Sequence, residues 1–214
     1  MRHLLRMTLK ARNDIHLARR IWHFCGVMFI FALYQLVPES QRAWTTVSIC
    51  STIILIDVSR LYIPAMGRAM FTLFRPFMRE SERKGFATLT SMMVGLMIII
   101  LIFPPVVVAL ALLFLAVGDP VASYFGIRFG KDKLIGEKSV QGTFAAFAAC
   151  FVLSLIYFYT MNLMQERLFI VCLLSALIGA FSELVPIFKL DDNFVFPVVS
   201  SVLLTGLFYL FGGL

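Results

Sequence analysis

Charge is what this sequence has least of. Only 14% of its 214 residues are Asp, Glu, Lys or Arg, while 60% are hydrophobic; soluble domains run at roughly 45–50% apolar and about 25% charged. A soluble fold of this length could not hide that much apolar surface. Cysteine is also scarce. Cys25, Cys50, Cys150 and Cys172 each stand alone in an apolar run, without a Cys-x-x-Cys pair or a histidine at ligand spacing, so the thiols are expected to be small packing residues. No low-complexity or linker-like tract divides the chain. It is expected to be a basic arm, residues 1–20, followed by one transmembrane domain, residues 21–214. The first apolar run has no small-residue cleavage site after it, so it is expected to be a retained anchor.

What the sequence does have is long hydrophobic runs. A span needs about 20 apolar residues, and seven candidates occur: Ile21–Val37, Ala43–Val58, Ala87–Phe103, Pro104–Phe125, Phe144–Met161, Arg167–Val185 and Phe194–Phe211. The expected fold is therefore an all-α polytopic membrane bundle. The formal charge of +7 would suggest nucleic acid in a soluble protein. Here the cations sit in loops beside spans, where anionic headgroups and the positive-inside bias account for them, and no nucleic-acid partner is expected.

Lys and Arg number six in the amino-terminal arm, six over Arg60–Lys84, four over Arg128–Lys138 and one at Lys189, against Arg42 and Arg167 on the other side. That 17-to-2 asymmetry predicts a cytoplasmic amino terminus. Between spans two and three, Met66, Met70, Phe71, Phe74, Phe77 and Met78 recur at near-helical spacing with Arg68, Arg75 and Arg79 between them. This pattern predicts a helix lying in the inner interface, as a plain anchor or as a gate over a lipid's way in.

The unusual polar residues map to that same side. Asp119 follows an uninterrupted apolar run, and an ionised carboxylate at membrane depth costs about 2.5–3.5 kcal/mol unless it has a partner or a wet cavity. Gly118-Asp119-Pro120 therefore predicts a broken helix lining a cavity; the plainer account is a proline kink with a neutralised acid. Asp57 and Arg60, and Arg20 and His23, are pairs three apart on one helix face. Glu183 and Asp191-Asp192-Asn193 offer hard oxygen ligands of the kind Mg²⁺ takes alongside phosphates, or else an ordinary helix cap.

The densest signal is the loop holding Gly126, Gly130, Lys131, Lys133, Gly136, Lys138, Ser139 and Gly142, whose backbone amides and ammonium groups would suit a polyphosphate. It is not a Walker A loop, because five residues separate Gly130 from Gly136 and Glu137 precedes Lys138-Ser139. Together these features suggest phosphoryl or nucleotidyl chemistry on a lipid.

Arg19-Arg20-Ile-Trp-His23, Asp57-Val-Ser-Arg60, Arg79-Glu-Ser-Glu82, the block from Gly118-Asp119 through Gly126 and Gly130-Lys131 to Lys138-Ser139-Val-Gln-Gly142, Glu183 and Asp192-Asn193 resemble, in order and spacing, the dolichol kinase, phytol kinase and CTP-dependent diacylglycerol kinase family. The resemblance spans about residues 19 to 200. It implies transfer of a phosphoryl group, typically from CTP, to the hydroxyl of a polyprenol, phytol or diacylglycerol, with Mg²⁺ or another divalent cation.

Carried onto this chain, the resemblance implies Asp119, Lys138 and Asp192 as catalytic residues, with Asp119, Glu183 and Asp192 around the metal. Gly118, Gly126, Gly130, Lys131, Ser139, Gly142 and Asn193 would contact nucleotide, with Arg20, His23, Arg60, Arg79 and Glu82 in support. Arg20 stands where the family often has Lys, and Pro120 where it has a small residue. The same block is similar, more distantly, to phosphatidate cytidylyltransferases, whose longer carboxyl-terminal signature is absent. A transporter without catalysis is the alternative from another class, weakened by the lack of a visible inverted repeat.

Overall fold

A computed structural model describes residues 17–78, 82, 85–186 and 190–214. Its elements are α1 (Leu17–Leu36), α2 (Glu39–Tyr62), α3 (Pro64–Leu73), α4 (Thr88–Ile102), α5 (Pro105–Leu113), a π-turn (Phe114–Gly118), α6 (Asp119–Phe129), a two-stranded hairpin of β1 (Lys133–Ile135) and β2 (Lys138–Ser139), α7 (Val140–Thr160), α8 (Leu168–Leu184) and α9 (Asp192–Phe211). The protein is an all-α membrane bundle, as its hydrophobic runs require.

Six helical stretches among the described residues are long and apolar enough to cross a membrane; the third expected span, α4, is 15 residues, about 22 Å at 1.5 Å per residue. Two causes shorten it. Pro104 and Pro105 stop it at one end, since proline disfavours helix in the residue before it. At the other end Asp57 of α2 accepts the Ala87 N–H at 3.0 Å and the Thr90 hydroxyl at 2.5 Å. A carboxylate at a helix N-terminus is favourable, and this one fixes where α4 begins.

The helix running through α5 is the axis of the bundle. Val107 to Leu112 and Phe114 to Ala116 are all buried, as expected of a segment apolar on every side. α1, α7 and α9 lie against it, α8 packs on α7 and α9, and α4 lies between α2 and α9. Outward faces carry Leu36, Trp44, Ile102, Phe169 and Tyr209, which suits hydrocarbon. Cys50, Cys150 and Cys172 are buried free thiols and Cys25 is exposed. Cys150 locks α8 to the π-turn: its sulfur sits where a Cβ on Gly179 or Gly118 would lie only 2.6 or 3.1 Å away.

The helix is not broken at Asp119, contrary to the expectation from its proline. Helical backbone continues through it, and the accommodation is the π-turn just before. With i→i+5 pairing the Leu115 carbonyl looks to residue 120, which has no N–H. His23 Nε2 lies 3.0 Å from that carbonyl; a carbonyl only accepts, so Nε2 carries a proton and donates. The freed backbone group is thereby satisfied by α1. The expected interfacial helix is helical only over α3, none of whose residues is buried; Phe74, Phe77 and Met78 follow it in a turn, and Arg79 lies outside the described residues.

Candidate active site

A cavity of about 1060 Å³ opens where α1, α6, α7 and the amino-terminal end of α9 meet. Asp119, Lys138, Asp192, Glu183, Asn193, Ser139, Gly126, Gly130, Gly142, Arg20, His23, Arg60 and Glu82 all border it. Residues scattered over more than 170 positions of sequence thus share one hollow. Gly118 and Lys131 do not border it: Gly118 is buried against Cys150, and Lys131 is exposed. Arg79 lies outside the described residues.

Lys138 is the centre of the polar wall. Its Nζ is 2.6 Å from Glu183 Oε1 and 3.2 Å from Asp192 Oδ2. Burial pulls its pKa down, but the charges of Glu183, Asp119 and Asp192 outweigh it and push the ammonium up to about 12. Asp119, with 23% of its side chain exposed, stands 3.9 Å from His23 Nε2. Arg20 donates to the Ser123 hydroxyl at 3.1 Å and lies over the Tyr124 ring. Its other terminal nitrogen, Nη1, is buried without a hydrogen-bond partner among the described residues, a costly arrangement that an anion in the cavity would relieve.

The glycines act differently from the expectation. A Cβ on Gly130 would fall 2.1 Å from the Gly126 carbonyl and 2.6 Å from Ser139 Oγ, and one on Gly142 would fall 2.8 Å from the Ala122 carbonyl. They permit the close approach of α6, β2 and α7. The amides are already engaged: Gly130 N–H bonds Gly126, Gly142 N–H bonds the Ser139 cap, and Lys131 N–H bonds Gln141. Gly136, at φ +56°, forms the exposed hairpin turn. These three N–H groups are therefore not free to receive an anion.

Arg60 and Glu82 brace the wall of the cavity. Arg60 bonds Asp57 at 2.5 Å and the Glu82 and Gly85 carbonyls at 2.9 Å, which engages three of its five donors. Glu82 accepts from Arg19 at 2.9 Å and from the Thr88 hydroxyl at 2.6 Å. Asn193 serves the α9 cap, its N–H and side-chain amide both donating to Asp191. The plain-cap account of that acidic run therefore holds for Asp191 and Asn193, while Asp192 turns to Lys138.

The sequence named Arg19 only within a motif and gave neither it nor Ser123 a role at the site. Ser123 was within reach, since it lies one turn beyond Asp119 on the same face. Arg19 was hidden, because its partners Glu82 and Thr88 are more than 60 residues away.

Asp119, Glu183 and Asp192 ring Lys138 and do not converge as a cage. Among the described residues no three His, Cys, Asp or Glu side chains are placed to hold a metal ion alone. The donor set still suits Mg²⁺, which is commonly held by one or two carboxylates together with substrate phosphates.

Comparison with known proteins decides the family. The chain is 32% identical over 158 residues, 69% of its own length and 72% of the relative's, to a protein of Schizosaccharomyces pombe named CTP-dependent diacylglycerol kinase 1. The chain belongs to the CTP-dependent diacylglycerol kinase family. The protein of that name from Saccharomyces cerevisiae is 22% identical over 86% of this kinase and 70% of its own length. An uncharacterized protein of Rickettsia prowazekii is 28% identical over 86% of the kinase and 91% of its own length. No protein-family model matches the chain, and no solved structure matches it. As a membrane lipid kinase, it needs a site that faces water for nucleotide and hydrocarbon for lipid. The cavity borders both Lys138 and the apolar Phe29 and Met93.

Proposed function

We propose that this protein transfers the terminal phosphoryl group of CTP to the free hydroxyl of diacylglycerol, giving phosphatidate and CDP. The donor and acceptor are those in the names of its relatives in S. pombe and S. cerevisiae. The single observation that carries the reading is Lys138 held by Glu183 and Asp192 beside Asp119, at one end of a cavity whose other end is apolar. Residues 21–214 act as one catalytic domain, and the cation-rich side, with the site, faces the cytoplasm.

In this reading the triphosphate enters against Lys138 and Arg20, whose Nη1 lacks a partner. Asp119 accepts the hydrogen bond of the lipid hydroxyl and aims its oxygen at the terminal phosphorus. The new P–O bond forms as the bond to the β-phosphate's bridging oxygen breaks, CDP leaves, and the hydroxyl proton passes to Asp119 or water. Positioning and charge neutralisation supply most of the catalysis in phosphoryl transfer, so no strong base is required. Asp119 and Asp192 would hold a divalent cation through the phosphates, where it would neutralise charge on the transferring group. His23, held to the Leu115 carbonyl through Nε2, places its ring 3.9 Å from Asp119.

The test is product identity. Purified protein with CTP, Mg²⁺ and diacylglycerol is expected to release CDP and form phosphatidate, and to label a polyprenol or phytol less efficiently. Release of pyrophosphate would assign cytidylyl transfer instead, and flux of a solute into proteoliposomes without CTP consumption would assign transport.

A further inference from the structure

The apolar arm of the cavity runs along one stripe of α1. His23, Gly26 and Ile30 are spaced three and four apart, so they stack on one helix face, and all three border the cavity with Ile53 of α2 and Met93 of α4. Gly26 differs from the glycines of the polar wall: a Cβ built on it meets no atom within 4 Å. Backbone contact does not demand glycine there, and the missing side chain leaves open space inside the bundle. The arm is a space between apolar walls, a shape and chemistry that suit a hydrocarbon chain.

The position says which part of a substrate that occupant is. Gly26 lies about 4.5 Å along α1 from His23, whose ring is 3.9 Å from Asp119. That is about the distance at which a glycerol backbone gives way to its chains. Phe29 and Ile56 border the cavity and are also 61% and 40% exposed, so the arm opens sideways between α1 and α2, onto hydrocarbon. Phe29 is about 15 Å along the helix from Arg19, half the depth of a bilayer core of about 30 Å. Resting on the kinase reading above, we propose that the groove over Gly26 is the acyl-chain subsite, holding the first methylenes of a diacylglycerol chain, and that the bare backbone there sets how much chain the site accepts.

The Gly26→Leu variant tests this, because leucine favours helix over glycine and its Cβ has room. With CTP, the ratio of kcat/KM for dioctanoylglycerol to that for diacetylglycerol, which lacks those methylenes, is expected to fall about tenfold, the equivalent of roughly two methylenes losing their burial. A dioleoylglycerol analogue carrying a photoreactive diazirine near the ester is expected to crosslink to α1 and α2. An unchanged ratio, or adducts confined to other helices, would overturn the subsite while leaving the kinase reading intact. Wild-type protein inactive on both glycerides would instead sink that reading, and this inference with it.

Discussion

At the scale of single residues, the site is a balance of buried charge around one ammonium. Lys138→Met would strand Glu183, only 5% of whose side chain is exposed, and removing one partner of such a pair typically costs about 3–5 kcal/mol. The expected result is lost activity together with a large drop in the detergent melting temperature. Adding Glu183→Gln should recover much of the melting temperature and none of the activity, a double-mutant cycle that separates holding the fold from handling phosphate. The folded pKa of Lys138 is raised, so its stabilising contribution is complete below the unfolded value of about 10.4 and is lost only as pH rises through about 12. Lys138 itself should therefore add no pH dependence to stability between about pH 6 and about pH 9. Sequence alone marked Lys138 and Asp192, because a lysine in a glycine-rich loop and an acid at a span's end are unusual. It could not show that they touch.

At the scale of elements, two local devices position Asp119. The π-turn leaves the Leu115 carbonyl to His23, and Pro120→Ala would return an N–H to compete for it. That variant is expected to raise the melting temperature slightly, since proline is poor in helix interiors, and to lower kcat by releasing His23. A rise in both would remove His23 from the positioning role. The second device is the close contact of α6 with β2. Gly130→Ala forces a Cβ to 2.6 Å from Ser139 Oγ of β2, besides 2.1 Å from the Gly126 carbonyl of α6, and overpacking of this kind costs about 1–3 kcal/mol or more; lower yield and melting temperature should follow. Proline chemistry made a disturbance near Asp119 legible in the sequence. That it would be a π-turn closed by a histidine 92 residues away was not, because the outcome depends on tertiary contact. The loop glycines were read as phosphate ligands for the same reason: glycine in a loop and glycine under a neighbouring backbone look alike until the neighbour is known.

At the scale of the whole molecule, the hydrophobic runs were enough to give the bundle, since length and apolarity are local properties. The fifteen-residue α4 escaped that logic because its start is set by Asp57 on another helix. Its recessed end helps make the hollow, which Thr88, Leu89, Met92 and Met93 line. The charge asymmetry further predicts that a cysteine placed at the exposed Glu137 reacts with an impermeant thiol reagent from the cytoplasmic side only, and labelling from the outside would invert the topology. The most direct measurement compares wild type with Asp119→Asn in proteoliposomes given γ-labelled CTP and diacylglycerol. Label in phosphatidate from wild type, and a loss of about 10²-fold or more in the variant with an unaltered elution profile, is the predicted result. Equal transfer by the two proteins would contradict the placement of phosphoryl transfer in this cavity.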